Sequence, residues 1–235
     1  MELENNHFLR CLEALKESSF FKDIDKDIMR EMLTSMTRTH WNAGTFKNGK
    51  EVESTLHFIV SGRIKEYQLN PNTGREHTIF MLSRGDVFDI LGLMDSQMHN
   101  VYWEALDDLE ILNISMVDMR RWIAEHPSMN KTILKYLGHR MRQLEEVATD
   151  ISLHSTLIRL SHLLLNNING HSHQLQLINN LPNNEIASLI GTTRAVVNRH
   201  IQELKKCGAI SVKRSQIDIE NVELLLAIAE EKYIP

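Results

Sequence analysis

The chain has 235 residues and a formal net charge of −5, with 42% hydrophobic and 24% charged residues. These are values of a globular protein that can bury a proper core, and the length suits two domains. The two cysteines, Cys11 and Cys207, are far apart and show no C-x-x-C spacing. This excludes a disulfide framework and a cysteine-held zinc or iron–sulfur site from the expected features.

The sequence contains no segment that predicts export or a membrane partner. No apolar run approaches the ~20 residues needed to span a bilayer. The N-terminal MELENNHF also lacks the basic and then apolar profile of a signal peptide. We therefore expect a cytoplasmic protein.

The first half of the chain changes from helical to strand periodicity. Two helical patterns, at residues 3–15 and 25–36, come first, and Asp25 is placed to cap the second. From residue 39 to 114 the apolar period is 2. The short runs here, separated by Gly, Asn, Pro or Asp, are LHFIVSG, RIKEYQL, HTIFML, DVFDIL, VYWEAL and LEILNI. This spacing predicts an antiparallel roll whose interior could hold a ligand.

A long helix is predicted after the roll. Ser115 opens a short helix that ends at His126-Pro127, because the residue before proline is pushed out of the α region. Residues 127–152 then carry apolar residues at alternating spacings of three and four, which is a heptad seam. The seam consists of Leu134, Leu137, Met141, Leu144, Ala148 and Ile151. It predicts pairing with a second copy of the chain, and packing against its own roll is the alternative.

The remainder of the chain predicts a second domain beyond a hinge near residues 150–154. A helix is predicted over 156–168, followed by a polar loop at 166–173 and a strand at 175–178. The last helix should begin after a cap at Asn221.

Residues 181–211 predict a helix-turn-helix. Gly191 supplies the positive φ that the turn needs, and Ala187 is the small residue where the two helices cross. The candidate caps are Asn183 or Asn184 for the first helix and Thr192 or Thr193 for the second. Two β-like runs, 209–213 and 216–219, follow around a basic turn and complete a winged helix.

The second helix, predicted over 194–206, has one apolar and one polar face. Val197, Ile201 and Leu204 recur at core spacing. The candidate DNA-binding residues are Thr193, Arg194, Ala195, Asn198, Arg199 and Gln202, with Lys213 and Arg214 from the basic turn. Arginine forks suit guanine and amides suit adenine in the major groove. An ordinary helical hairpin with a solvated face is the alternative.

The charge distribution is compatible with a local DNA-binding surface. Residues 181–215 contain six basic and two acidic residues, a local balance of +4 that leaves −9 elsewhere. Local charge sets the attraction to phosphates, so the acidic total argues only against coating DNA non-specifically.

With the segment EIASLIGTTRAVVNRHIQEL and the glycines at 44, 49, 62, 85 and 92, this order of elements resembles the cAMP receptor/FNR (Crp/Fnr) family of bacterial transcription regulators. The resemblance implies an α+β fold. Its parts are a double-stranded β-roll of the cyclic-nucleotide-binding type at 1–126, a long dimerisation helix and hinge at 127–152, and a C-terminal winged helix-turn-helix at 153–235. It also implies a homodimer that reads a palindromic site in double-stranded DNA and contacts RNA polymerase.

Carried over residue by residue, the resemblance keeps part of the DNA-reading pattern. Arg194 and Arg199 match family residues that contact guanines and phosphates. Ala195 stands where many members place a Glu, and Asn198 where others have Gly or Ser. His200 replaces an aliphatic core residue, which a partly buried histidine explains. The half-site should therefore keep a guanine preference but differ from the usual consensus.

The effector pocket departs further from the family pattern. Where relatives use a Gly-Glu pair and an Arg followed by Ser or Thr, this chain has Asp89-Ile90 and Asn100-Val101, so a phosphate would meet a carboxylate. Leu144 and Glu145 replace the polar residues that read adenine. The pocket could take an apolar ligand, or Ile90, Leu91, Val101 and Trp103 could fill it and leave the protein active without an effector. We predict that neither cAMP nor cGMP binds.

The sequence leaves the nature of any effector open. We predict no resident cofactor and no metal site, although haem or an unknown small effector stays possible. The candidate haem ligands are His57, His77, His99 and His139. His171 and His173 could hold a metal, but we interpret them as part of a solvated loop.

Two other classes of protein fit less well. The sequence contains no G-x-S-x-G, P-loop or H-E-x-x-H motif and no plausible carboxylate pair, so we do not expect an enzyme. A regulatory module of a signalling enzyme or channel would not need the basic winged-helix head.

Overall fold

The structure is a computed structural model that describes residues 2–22, 24–169, 175–213 and 216–233. By internal packing the chain divides into two compact units. The first comprises Met1–Arg75 and Ile79–Arg142, and the second comprises Glu76–Thr78 and Gln143–Pro235. The division falls inside the longest helix, which therefore contributes to both units.

The predicted β-roll is confirmed. Over the described residues it consists of two four-stranded sheets, with strand orders β1-β8-β3-β6 and β2-β7-β4-β5. The strands are β1 (Thr37–Trp41), β2 (Phe46–Asn48), β3 (Thr55–Ser61), β4 (Ile64–Leu69), β5 (Glu76–Leu82), β6 (Val87–Phe88), β7 (Tyr102–Ala105) and β8 (Leu109–Ser115).

Strand β3 explains why some roll strands are apolar throughout rather than alternating. Leu56, Phe58 and Val60 belong to a core shared with the flanking helices, whereas Ile59 belongs to the core inside the roll. Successive side chains of a strand point to opposite faces, so a strand with a core on both sides is apolar at every position.

One predicted strand is much shorter than expected. Strand β6 contains only Val87 and Phe88, because Asp89 has a left-handed φ of 63° and the helix α4 (Ile90–Asp95) follows directly. A left-handed residue cannot continue a strand. The prediction of a strand through DVFDIL is therefore wrong in its second half.

The helices of the first part of the chain surround the roll core. They are α1 (Glu2–Glu17), α2 (Lys26–Thr34), α3 (Gly49–Val52), α5 (Met116–Glu125) and the 25-residue α6 (Met129–Leu153). The predicted caps are confirmed, since the side chain of Asp25 accepts from the Asp27 N–H and that of Ser115 from the Asp118 N–H.

The second unit contains the predicted winged helix-turn-helix. Its elements are α7 (Thr156–Leu165), α8 (Asn183–Leu189), α9 (Arg194–Lys206), β9 (Ile210–Lys213), β10 (Gln216–Ile219) and α10 (Val222–Ala229). Strands β9 and β10 pair antiparallel, with Gln216 opposite Lys213. The side chain of Asn221 caps α10 by accepting from the Leu224 N–H, as predicted.

The strand predicted over residues 175–178 is wrong. Leu175 makes a single antiparallel bridge with Ile168, and a turn follows. Leu175 and Ile178 are both buried. Their spacing of three, rather than two, marks them as apolar anchors under a turn.

Within the described residues, no helix combines the length and apolar character that crossing a membrane requires.

Candidate DNA-binding surface and effector pocket

The helix-turn-helix forms as its sequence spacing predicts. Helix α9 begins at Arg194 and ends at Lys206, and the Thr193 hydroxyl caps it by accepting from the Val196 N–H at 3.4 Å. Gly191 has a φ of 64°, which a side chain would strain. The turn is closed by the Thr192 N–H, which donates to the Ala187 carbonyl at 2.9 Å.

Helix α8 begins differently from the prediction. Its N-cap is Pro182, which makes no side-chain capping bond, and Asn183 is already the first helical residue. The amide of Asn183 instead donates to the Asn198 Oδ1 atom, and the amide of Asn184 donates to Glu185. The asparagines thus bond to side chains, and the prediction that one of them caps α8 is wrong.

The inner face of α9 holds the helix in the unit. Val197, Ile201 and Leu204 are almost fully buried, as predicted. His200 is also buried, and its Nε2 atom lies 2.8 Å from the Thr156 hydroxyl of α7 while its Nδ1 atom lies 2.6 Å from Glu203. His200 is therefore a bonded core residue, as the sequence suggested.

The outer face of α9 carries every candidate base-reading residue in an exposed position. These are Thr193, Arg194, Ala195, Asn198, Arg199 and Gln202. Arg199 lies 3.8 Å from Glu203 on the next turn, a contact between largely exposed groups. Lys213 is exposed at the end of β9, and Arg214 lies outside the described residues.

A concave surface borders this face. A cavity of about 350 Å³ lies between the start of α8, helix α9 and the β9–β10 hairpin. Arg194 and Gln202 line it from α9, and Val212 and Ile217 line it from the hairpin. Two candidate residues thus stand at the edge of a groove rather than on a flat surface.

Helix α7 supports the turn from behind. The Arg159 guanidinium donates to the Ile190 carbonyl at 2.8 Å, next to Gly191. Because that carbonyl belongs to the last residue before the turn, the bond satisfies one of the acceptors that a helix end leaves open.

In the roll, Asp89 is the pocket residue with the most perturbed environment. Its side chain is 2% exposed, and its Oδ1 atom makes no hydrogen bond within the described residues. Burial, and then the charge of Glu66, raises the pKa of the Asp89 carboxyl to about 7. A backbone hydrogen bond from Gly92 partly opposes this rise.

Two further titratable residues, Glu66 and His99, lie near Asp89. The sequence did not predict that these three residues meet in the pocket. Burial raises the pKa of Glu66 to about 7, although Trp103 donates to its Oε2 atom at 3.1 Å. His99 lies between the two carboxyls, with Nδ1 3.8 Å from Asp89 and Nε2 4.0 Å from Glu66. Burial lowers the pKa of His99. The pocket region therefore contains two buried carboxyl groups with a histidine between them.

The other predicted pocket residues differ in burial. Val101 is buried and Ile90 packs against the helical core, whereas Leu91 and Asn100 are exposed. Leu144 and Glu145 are exposed on the part of α6 that belongs to the second unit.

The histidines proposed as haem ligands have different surroundings. His57 is buried, stacks on Phe88 at 4.5 Å and lies 2.6 Å from the Asn113 oxygen. Burial lowers its pKa to about 4. This environment makes His57 a packed core residue. His139 is exposed on α6, and His171 and His173 lie outside the described residues.

The heptad seam is a largely exposed apolar stripe. Leu134 and Met141 are 67% and 62% exposed, and Leu144, Ala148 and Ile151 are exposed as well. Leu137 alone of the six packs against the core of the first unit. Within the first unit, Leu137 thus packs as the alternative expects, whereas Leu134 and Met141 stay largely exposed.

Comparisons with known proteins agree with this architecture. Residues 158–228 match the Crp-like helix-turn-helix domain, and residues 45–126 match the cyclic nucleotide-binding domain. The chain is 22% identical over 219 residues to the CRP-like cAMP-activated global transcriptional regulator of Mycobacterium tuberculosis, covering 91% of this chain and 97% of that protein. It is 23% identical over 179 residues to the cyclic AMP receptor protein of Thermus thermophilus, covering 76% and 81%.

A similar fold is found among solved structures. That of FixK2 from Bradyrhizobium japonicum superimposes with a TM-score of 0.70 at 17% identity, covering 81% of this chain and 96% of that one. A cyclic-nucleotide-binding domain followed by a long helix and a Crp-like helix-turn-helix is the domain order of one family. The chain belongs to the Crp/Fnr family of DNA-binding transcription regulators.

Proposed function

We propose that the chain acts as a homodimer that reads a palindromic DNA site with α9, and that cAMP is not its effector. The observation that carries the proposal is the two-sided character of α9. Val197, Ile201 and Leu204 fix one face in the core, while the opposite face presents arginine and amide side chains beside a groove. A helix held in this way can enter a major groove without rearrangement.

The residues of the outer face define an expected half-site. Arg194 and Arg199 can donate to guanine, and Asn198 and Gln202 can pair with an adenine edge, each good pair discriminating by about 1–3 kcal/mol. Ala195 offers a methyl group and no acceptor, so we expect no selection for cytosine through N4 at its position. A thymine methyl group is the partner that suits it.

The exposed stripe on α6 supports the homodimer. Apolar residues at a and d positions form a stable seam when a second helix with the same pattern packs against them. Such a pairing is two-fold symmetric and would present two copies of α9, as in helix-turn-helix dimers that bind half-sites about 34 Å apart. Contact with RNA polymerase follows from the family and is part of the proposal.

The acidic pocket supports the second half of the proposal. A cyclic phosphate entering near Asp89 and Glu66 would meet carboxyl groups in a buried site, where like charges repel strongly. The pKa of each carboxyl is already raised to about 7. A bound anion would raise the pKa of both carboxyls further. The repulsion between the anion and the ionised carboxylates weakens binding.

Selection from a random double-stranded DNA library, followed by fluorescence anisotropy, tests whether α9 reads DNA. We expect a palindromic motif with a guanine in each half-site. Arg199→Ala should weaken binding by about 5–150-fold and relax selection at one position. The matched control is Lys206→Ala, which changes an exposed cation on the last turn of α9 and should weaken binding to all sequences alike. Wild-type specificity in Arg199→Ala would refute the groove assignment.

Sedimentation equilibrium tests the seam. Met141→Glu places a charge in the centre of the stripe and should convert the dimer to monomer. His139→Glu, an exposed change on α6 outside the heptad positions, should leave the dimer intact. A dimeric Met141→Glu protein would contradict the pairing.

Titration calorimetry with cAMP and cGMP tests the effector. We expect no binding heat at micromolar ligand. Micromolar affinity for either nucleotide would refute this part of the proposal.

A further inference from the structure

The geometry points to a transition-metal site, for Zn²⁺ or a similar divalent ion, held by Asp150, His154 and His162 where α6 meets α7. One ligand atom from each of these residues lies within 4.8 Å of the other two. The His162 Nδ1 atom is 2.9 Å from the Asp150 Oδ1 atom, and the His154 Nε2 atom is 4.0 Å from it. All three residues belong to the second unit.

These separations fit a tetrahedral ion. Zinc binds imidazole nitrogen at about 2.0–2.1 Å and carboxylate oxygen at about 2.0–2.2 Å, which places its ligand atoms roughly 3.3–3.5 Å apart. Side-chain shifts of less than about 1.5 Å would bring the three atoms to that distance. Two imidazoles and a carboxylate favour Zn²⁺, Co²⁺ or Ni²⁺ over Mg²⁺ or Ca²⁺. A water molecule would complete the fourth position.

An independent observation concerns the other nitrogen of His154. Its Nδ1 atom is buried and has no hydrogen-bond partner within the described residues. Buried polar atoms without partners are uncommon. The Glu231 Oε1 atom lies 3.7 Å away, beyond hydrogen-bonding distance. A metal-bound histidine usually donates its second N–H to a carboxylate. Coordination through Nε2 would draw His154 into that arrangement, with Glu231 as the acceptor.

The location suggests what the ion would do. Asp150 lies in the last turn of α6, His154 follows directly after the helix ends, and His162 lies on α7. Helix α7 also supports the helix-turn-helix. Arg159 donates to the Ile190 carbonyl, and the Thr156 hydroxyl bonds to His200 of α9. An ion that joins α6 to α7 would therefore fix the direction in which α9 leaves the dimerisation helix. This consequence for DNA rests on the proposed function, whereas metal binding does not.

The site is tested with the full chain after chelator treatment. Titration with Co²⁺ should give the visible absorption of a tetrahedral Co²⁺ complex at one ion per chain, and Zn²⁺ should displace it. His162→Gln and His154→Gln should abolish the spectrum. Glu231→Gln should weaken Zn²⁺ binding by about 10–100-fold, as loss of a supporting carboxylate does. The control His139→Gln should bind as wild type.

Several outcomes overturn the assignment. Absence of a tetrahedral Co²⁺ spectrum in the wild-type chain refutes the site without reference to any variant. Wild-type stoichiometry and affinity in both His162→Gln and His154→Gln show that the ion binds elsewhere. Far-UV circular dichroism verifies that the variants are folded, because the second unit contains no tryptophan.

The coupling to DNA has a separate test. On the selected DNA site, loading with Zn²⁺ should change wild-type affinity by about 5-fold or more, within the usual range of allosteric coupling, and should leave His162→Gln unchanged. Equal wild-type affinity with and without Zn²⁺ refutes the coupling and not the site. Failure to select any DNA motif refutes the proposed function, and the Co²⁺ titration still decides the site.

Discussion

Asp89→Asn tests whether the buried carboxyls of Asp89 and Glu66 destabilise the folded roll when they are ionised. Asp89 has a backbone φ of 63° and a buried carboxyl. Burial, and then the charge of Glu66, raises the pKa of this carboxyl to about 7. Asparagine is nearly the same size, is tolerated in the left-handed region and can still accept from the Gly92 N–H. The substitution therefore removes the charge and leaves the backbone conformation available.

The sign of the effect follows from the raised pKa. The folded state binds the proton more tightly than the unfolded state, in which Asp titrates near 3.9. The stabilisation is complete below about pH 4 and is lost as the pH rises to about 7. Between pH 5 and pH 8, Asp89 alone should cost wild type about 2–3 kcal/mol of unfolding free energy. Asp89→Asn should match wild type only below about pH 4, and its advantage over wild type should grow by about 2–3 kcal/mol between pH 5 and pH 8.

Urea unfolding followed by tryptophan fluorescence suits this test. All three tryptophans, Trp41, Trp103 and Trp122, lie in the first unit, so the signal reports on the unit that contains Asp89. A difference of 2–3 kcal/mol corresponds to a midpoint shift of about 1–2 M in urea for a typical slope. Fixed protein concentration at each pH keeps any dimer contribution constant.

The control is Asp27→Asn, whose carboxylate is 90% exposed on α2. It should show the pH dependence of wild type. If Asp89→Asn also follows wild type from pH 5 to pH 8, Asp89 is not held protonated by the fold. The electrostatic argument against nucleotide binding would then lose its basis.

Three further substitutions test local features of the fold. Gly191→Ala puts a Cβ at φ 64° and should destabilise the second unit by about 1 kcal/mol, measured by circular dichroism because that unit lacks tryptophan. Asn221→Ala removes the cap on the Leu224 N–H and should cost about 1 kcal/mol by the same measurement. Tyr136→Phe removes the hydroxyl that accepts from the Val87 N–H and donates to its carbonyl. It should cost about 1–3 kcal/mol by tryptophan fluorescence.

The features that the sequence predicted well depend on local chemistry. The bounds of α9 follow from Thr193, Gly191 and a core spacing of three and four, all within one short segment. The caps at Asp25, Ser115 and Asn221 need only a side chain and an N–H two or three residues later. Such signals are complete before any tertiary contact forms.

The wrong predictions depend on competition between local signals. Asn183 and Asn184 are good capping residues, yet the helix already begins at Asn183 and the asparagine amides bond to other side chains. The run at 175–178 resembles a strand because it is apolar, and its buried spacing of three becomes visible only in the structure. Periodicity over four residues cannot separate these cases.

The acidic pocket required tertiary register. The sequence alone predicts that Asp89 would repel a phosphate in the pocket. It does not predict that Glu66 lies in the same pocket. Glu66 lies opposite Trp103 in the pairing of β4 with β7, and this register turns its carboxyl into the roll. His99 reaches both carboxyls from the segment before β7. Three residues from separate parts of the chain thus form one site.

The cluster at the end of α6 has the same origin. Asp150 and His154 are separated by four residues, which the sequence reveals, but His162 joins them only because the fold places its ring beside Asp150. The pocket and this cluster hold most of the chemistry that the DNA-reading helix does not explain. In the pocket, buried carboxyls oppose an anionic effector. At the junction, imidazoles and a carboxylate suit a cation that would act directly on the support of α9. On both proposals, the regulatory input of this chain is a metal ion at the junction rather than a nucleotide in the roll.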